Sequence, residues 1–160
     1  MCKNTQLLEV KMAKTYQPLK FKRTFKEAIP PKAGNIYSAG IDLFIPKGRG
    51  ILLPASKMVG IDTGIAFDMP EGYVGLIRPR GSALAKGLLI NGTIDQDYRG
   101  SIRLFITNNS PDVCHLLEGR AYAQMILIKQ DSDIYQHLEE VEELTPTERG
   151  DRMLGSTGNV

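Results

Sequence analysis

Apolar residues in this chain come in short runs, and many of them alternate with polar ones. Ile102, Leu104 and Ile106 alternate with Arg103, Phe105 and Thr107, the period-two pattern of a strand with one buried face. Further strands are predicted over Ser38–Pro46, Ile51–Leu53, Met58–Ile61, Ile65–Phe67, Tyr73–Ile77 and Val113–Leu117. Ala121 to Ile128 is a strongly apolar strand interrupted only by Gln124. Leu19, Phe21 and Arg23 against Lys20, Lys22 and Thr24 suggest one edge strand. Between these runs lie turn signals: Lys47-Gly48-Arg49-Gly50, Asp62-Thr63-Gly64, Met69-Pro70-Glu71-Gly72, Ser110-Pro111-Asp112 and Glu118-Gly119. Asn91-Gly92, between Leu88-Leu89-Ile90 and Thr93-Ile94, carries the sequence signal of a tight hairpin. The one helix-like piece, Ser82 to Lys86, is bracketed by Gly81 and Gly87 and has room for a single turn. Turns at this spacing between short strands predict an all-β sandwich or barrel.

Two positions break the apolar pattern. Asp42 lies inside an apolar strand, so it either faces solvent or is held by a partner, because an unpaired buried charge is costly. Asp95, Asp97, Tyr98 and Arg99 cluster between the Asn91-Gly92 turn and the strand that follows. Taken by itself such a cluster reads as a solvated turn.

Composition narrows the class. At 160 residues the chain is one domain's length. A net charge of +2 gives no argument for nucleic acid or a membrane surface as partner. The charge is unevenly placed: residues 1–32 hold eight Lys or Arg against two Glu, and residues 131–148 hold seven Asp or Glu and no Lys or Arg. These segments are either solvated surface or mutually attractive, within or between chains. Two cysteines, Cys2 and Cys114, make no disulfide framework, and Cys114 with His115 and His137 is a poor zinc set. Free thiols, no signal-peptide pattern and no apolar stretch long enough to span a membrane place the chain in a reducing intracellular compartment, cytoplasm or nucleus.

The end of the chain, Arg149 to Val160, has too many glycines and too few apolar residues to form a helix or strand unaided. Its Gly-Ser-Thr-Gly run offers hydroxyls and backbone N–H groups, the materials of an anion nest, downstream of Arg149.

Five segments, taken in order, resemble the five motifs of the homotrimeric dUTPase family. They are Ala39–Leu43, Pro79–Ala85, Gly92–Gly100, Gly119–Met125 and Arg149–Gly158. The resemblance covers the chain from about residue 19 to its end. It implies a jelly-roll-like β-barrel over 19–144, a mobile basic extension over 1–18 and a mobile glycine-rich arm over 145–160 that closes over the active site. It implies hydrolysis of dUTP to dUMP and pyrophosphate with Mg²⁺, in a homotrimer whose active sites lie at subunit interfaces, with neither nucleic acid nor membrane as partner. Such an enzyme limits uracil incorporation into DNA and supplies dUMP for dTMP synthesis.

Residue roles follow from the same resemblance. Asp95 is the expected general base and Asp42 its support, or a support of the metal's water shell. Asn91, Gly92, Thr93, Ile94 and Asp95 are expected to read the base, and Tyr98 to pack under the sugar. Arg80, Gly81, Ser82 and Gln124 are expected on the phosphates, with Arg149, Leu154, Gly155, Ser156 and Thr157 closing over them. Asp97 and Arg99 are expected in structural pairs. No direct protein ligand to Mg²⁺ is expected, since that ion keeps several waters and takes phosphate oxygens. The chain departs from the family at Leu154, where a Phe that stacks on uracil is usual. Two alternatives are a non-catalytic nucleotide-binding or regulatory relative and the related dCTP deaminase. The second is disfavoured because Phe105 stands where a catalytic Glu is needed.

Overall fold

The computed structural model of the protein describes residues 18–131 and 133–151. The chain divides into two compact units, residues 1–130 and 131–160. The predicted N-terminal extension up to residue 17, and the arm residues Leu154, Gly155, Ser156 and Thr157, lie outside the described residues.

Among its described residues the first unit is almost entirely β. Its elements are β1 Lys20–Arg23, β2 Lys32–Ala33, β3 Ile41–Phe44, β4 Ile51–Leu53, β5 Met58–Asp62, β6 Ile65–Asp68, β7 Tyr73–Pro79, α1 Gly81–Leu84, β8 Leu88–Ile90, β9 Gly92–Ile94, β10 Arg103–Asn108, β11 Cys114–Leu116 and β12 Ala121–Lys129. Four antiparallel sheets result: β1-β6, β5-β10-β8, β11-β4 and the five-stranded β2-β3-β12-β7-β9. The architecture is all-β and consistent with a jelly roll. α1 is the single helical turn that its flanking glycines allow.

The core lies where the period-two pattern put it. On β10, Leu104, Ile106 and Asn108 are buried while Arg103 and Phe105 face out. Leu43, Ile45, Ile65, Leu88, Ile90, Ile102, Leu116 and Met125 complete a set of fully enclosed side chains, each contributing roughly 1.5–3 kcal/mol on burial. The buried amide of Asn108 is fully used. Asn108 Nδ2 donates to the carbonyls of Leu53 and Asp112 at 2.9 and 2.7 Å, and its Oδ1 accepts from Ser110. It thereby pins β10, β4 and the turn at 110–112 to one another.

Asn91-Gly92 does not close a tight hairpin. β8 pairs with β10, and β9 pairs with β7, so the chain leaves one sheet at Ile90 and enters another at Gly92. Gly92 keeps out of the positive-φ region that a tight hairpin turn would require. Burial overrides the turn signal. Leu88 and Ile90 are enclosed beneath β10, and Ile94 docks over Gly75, where a Cβ would come within 3.3 Å of Ile94 Cβ and within 2.6 Å of Met69 Cε. β9 therefore ends its sheet, and among the described residues no strand pairs with its outer edge.

Among the described residues of the second unit, a 3-10 turn, Ile134–Gln136, is followed by exposed residues up to Asp151. Thr147 caps a turn in which the Gly150 N–H donates to its Oγ1 at 3.1 Å.

Candidate active site

In an antiparallel sheet, directly opposed residues share a face. The register of the five-stranded sheet sets Lys32 opposite Asp42, Asp42 opposite Gln124, and Gln124 opposite Arg78. Arg78 Nη1 then donates to Asn91 Oδ1 at 2.8 Å. A row of five polar side chains thus crosses the sheet, one from each of β2, β3, β12 and β7, and the last from the residue before β9. On the opposite face Leu43, Ala123, Met125 and Ile77 are buried in the core.

Arg80 lies beside this row, against Asp42. Its backbone N–H donates to the Tyr122 carbonyl at 2.9 Å, which holds the exit of β7 beside β12. Its Nε lies 3.2 Å from Asp42 Oδ1, with the Asp42 side chain 19% and the Arg80 side chain 43% exposed. The partner demanded by Asp42's apolar setting is therefore Arg80. Gly81 and Ser82 follow as the first, exposed residues of α1.

Asp95 and Tyr98 occupy a separate place. Asp95 is exposed, just beyond β9, in a loop fixed from several sides. The Tyr98 N–H donates to the Asp95 carbonyl at 3.2 Å, and the Gly72 N–H donates to Gln96 Oε1 at 2.8 Å. Arg99 Nη1 donates to the Gln96 carbonyl at 2.6 Å and to that of Tyr98 at 3.2 Å, while its Nη2 lies 2.9 Å from Asp68 Oδ1. Arg99 is thus in a structural pair, as expected, and Asp68 is its partner within the chain. The Tyr98 hydroxyl donates to the Ser101 carbonyl at 3.1 Å.

The downstream end of the loop is tied to Asp62. Burial raises the Asp62 pKa, but bonds from the Ser101 hydroxyl and the Gly64 N–H, with the charges of Arg49 and Arg103, outweigh it and hold the group below its ordinary value.

The chain brings Asp42, Arg80, Gln124 and Asn91 together, and holds Asp95 with Tyr98 elsewhere. Asn91 and Asp95 are four residues apart on extended backbone, roughly 13 Å at strand rise. Arg149 belongs to the second unit. Lys32 and Arg78 were missed in the sequence. Arg78 had a signal, since it is the one charged residue of the run Tyr73–Pro79; Lys32, just after Pro30-Pro31, had none. Among the described residues no three His, Cys, Asp or Glu side chains converge as a metal site.

The family model described as dUTPase matches residues 26–158. The deoxyuridine 5'-triphosphate nucleotidohydrolase of Corynebacterium jeikeium is 40% identical over 146 residues, covering 88% of this chain and 93% of that protein. The enzyme of the same name from Rabbitpox virus is 35% identical over 142 residues, covering 88% of this chain and 93% of its own. Among solved structures, a dUTPase of Staphylococcus bacteriophage 80alpha carrying dUpNHpp superposes with a TM-score of 0.77 at 25% identity, over 90% of this chain and all of that one.

Proposed function

The chain belongs to the dUTPase family and is a dUTP nucleotidohydrolase, and we propose that it cleaves dUTP to dUMP and pyrophosphate with Asp95 as the general base. The observation that carries this reading is the polar row of the five-stranded sheet, with Arg80 held against its Asp42 and Asp95 apart from it. Phosphoryl transfer needs mainly positioned charge and an oriented nucleophile. Arg80 and Gln124 are suited to the first task, and the pinned Asp95 loop to the second.

In the proposed reaction Asp95 takes a proton from water as its oxygen attacks the α-phosphorus in line. The new O–P bond forms as the bridging bond to the β-phosphate breaks, and pyrophosphate leaves. Arg80, Gln124 and the exposed Ser82 hydroxyl and Gly81 N–H bind phosphate oxygens. Asp42 holds Arg80 by Nε, so that its terminal nitrogens can meet the substrate. Mg²⁺ neutralises phosphate charge when bound. Among the described residues no ligand set converges, and substrate phosphates and water would supply its coordination.

The outer edge of β9 suits base recognition. A strand edge presents N–H and C=O groups in alternation, and the uracil edge alternates acceptor, donor, acceptor. Asn91, Gly92, Thr93, Ile94 and Asp95 supply this edge, with Tyr98 against the sugar. On sequence chemistry alone, Arg149, Leu154, Gly155, Ser156 and Thr157 would cap the polyphosphate.

The distance from Asp95 to Asp42, Gln124 and Arg80 supports sites completed by another copy, as in a homotrimer: one protomer would supply Asp95 and the β9 edge, and its neighbour Arg80, Ser82 and Gln124. The test is pyrophosphate release from dUTP, with dCTP and dTTP as controls. Hydrolysis selective for dUTP and abolished in Asp95→Asn is expected; activity surviving that substitution would refute the role of Asp95. Light scattering at the mass of three chains would support the assembly, and a catalytically active monomer would exclude it.

A further inference from the structure

We infer that Arg78 is a specificity-determining positioning residue, acting by fixing which way the Asn91 amide faces. The inference rests on the reading above, in which Asn91 meets the base. Arg78 is the only charged residue of β7, and Nη1 donates to Asn91 Oδ1 at 2.8 Å.

An asparagine amide has an acceptor end and a donor end of nearly equal size, and nothing in its shape selects between them. A guanidinium has donors only. The amide oxygen must therefore face Arg78, and the NH₂ group is turned to the other side. A base placed against Asn91 then meets donors. Uracil offers a carbonyl oxygen at its C4 position and is accepted; cytosine offers an amino group there and sets donor against donor. Donor set against donor leaves both unpaired beneath the bound base, enough for a preference of about tenfold.

Position adds to the effect. Asn91 is the residue at which the chain passes from the β5-β10-β8 sheet to the β7-β9 edge. The same bond that orients the amide also fixes this crossing against β7. Arg78 acts through Asn91 rather than on the reacting atoms, so its loss should alter the choice of base more than the chemistry.

The test uses Arg78→Met, which keeps the aliphatic stem and removes every donor, and Arg78→Lys, which keeps a donor. For each, kcat/KM is measured on dUTP and dCTP, and binding of dUMP and dCMP by calorimetry. In Arg78→Met the uracil-over-cytosine ratio should fall about tenfold in both measurements, and Arg78→Lys should recover part of it. Equal losses on both bases, with the ratio unchanged, would overturn the inference and make Arg78 a phosphate-binding cation. Should Arg78→Met fail to fold by circular dichroism, Asn91→Asp replaces the donor by an acceptor beside an intact Arg78. It should move the ratio towards cytosine, and an unmoved ratio overturns the inference. Wild-type protein that turns over no dUTP would refute the hydrolase reading instead, while the dUMP and dCMP affinities would still test the role of Arg78.

Discussion

The Tyr98 ring folds back over Gly100, so closely that a Cβ on residue 100 would lie 2.5 Å from Tyr98 Cζ and 3.0 Å from Cε2. A glycine is required there by the ring itself. Gly100→Ala must swing Tyr98 away and break its bond to the Ser101 carbonyl. If the ring excludes a 2′-hydroxyl, the preference for dUTP over UTP should narrow about three- to tenfold in paired kcat/KM measurements. An unchanged preference would remove Tyr98 from sugar selection.

Asp42→Asn should separate activity from stability. The pair with Arg80 is partly exposed, and such pairs are worth about 0.2–1 kcal/mol, so urea midpoints should move little. Phosphate binding should suffer more, because Arg80 loses the carboxylate that aims it; kcat/KM should drop about tenfold or more. A large stability loss with normal kinetics would make Asp42 a strut only.

Arg99→Ala should loosen the loop that carries Asp95. The guanidinium holds two loop carbonyls and Asp68 at once, and these contacts go together. Amide exchange over residues 95–101 should accelerate, and kcat should fall, while exchange within β10 stays slow. Uniformly faster exchange would mean that Arg99 supports the whole unit.

Acid stability should report Asp62. Its pKa is lowered in the folded protein, so its contribution is present above the unfolded value of 3.8 and is lost as pH falls through the lower folded value. Ser101→Ala removes one of the bonds that lower it, so the contribution should be smaller and its loss complete at higher pH. In Asp62→Asn this part of the pH dependence should vanish from thermal midpoints taken between about pH 2 and 5.

Leu104→Ala should cost about 2–5 kcal/mol, since the side chain is fully enclosed and its removal leaves a cavity. Phe105→Ala, one residue away but 50% exposed, should cost far less. Chemical denaturation of the two variants reads the alternation of β10 directly.

That alternation shows what a sequence reveals well. Leu104 and Ile106, with Ile102 just before them, gave the buried face of β10 because period two is a local property. Asp42 was legible as a charge in need of a partner, but its partner was not, because Arg80 reaches it through a sheet register that no local pattern encodes. Gln124 and Arg78 were each visible as one polar residue in an apolar strand; that they are neighbours required the pairing of β12 with β7. Asn91-Gly92 misled for the opposite reason. Its local chemistry suits a tight turn, and only the burial of Leu88 and Ile90 under β10 and the docking of Ile94 over Gly75 send the chain across to another sheet.

The last strand of the first unit, β12, lies in the middle of its sheet, between β3 and β7. During synthesis, a nascent chain that has not yet released residues 121–129 from the ribosome has nothing to join those two strands, and each shows an open edge. Asp42 and Arg80 then belong to separate pieces, Gln124 is missing, and phosphate binding cannot begin. Premature termination before β12 therefore leaves an aggregation-prone fragment with two sticky edges rather than a weakened enzyme.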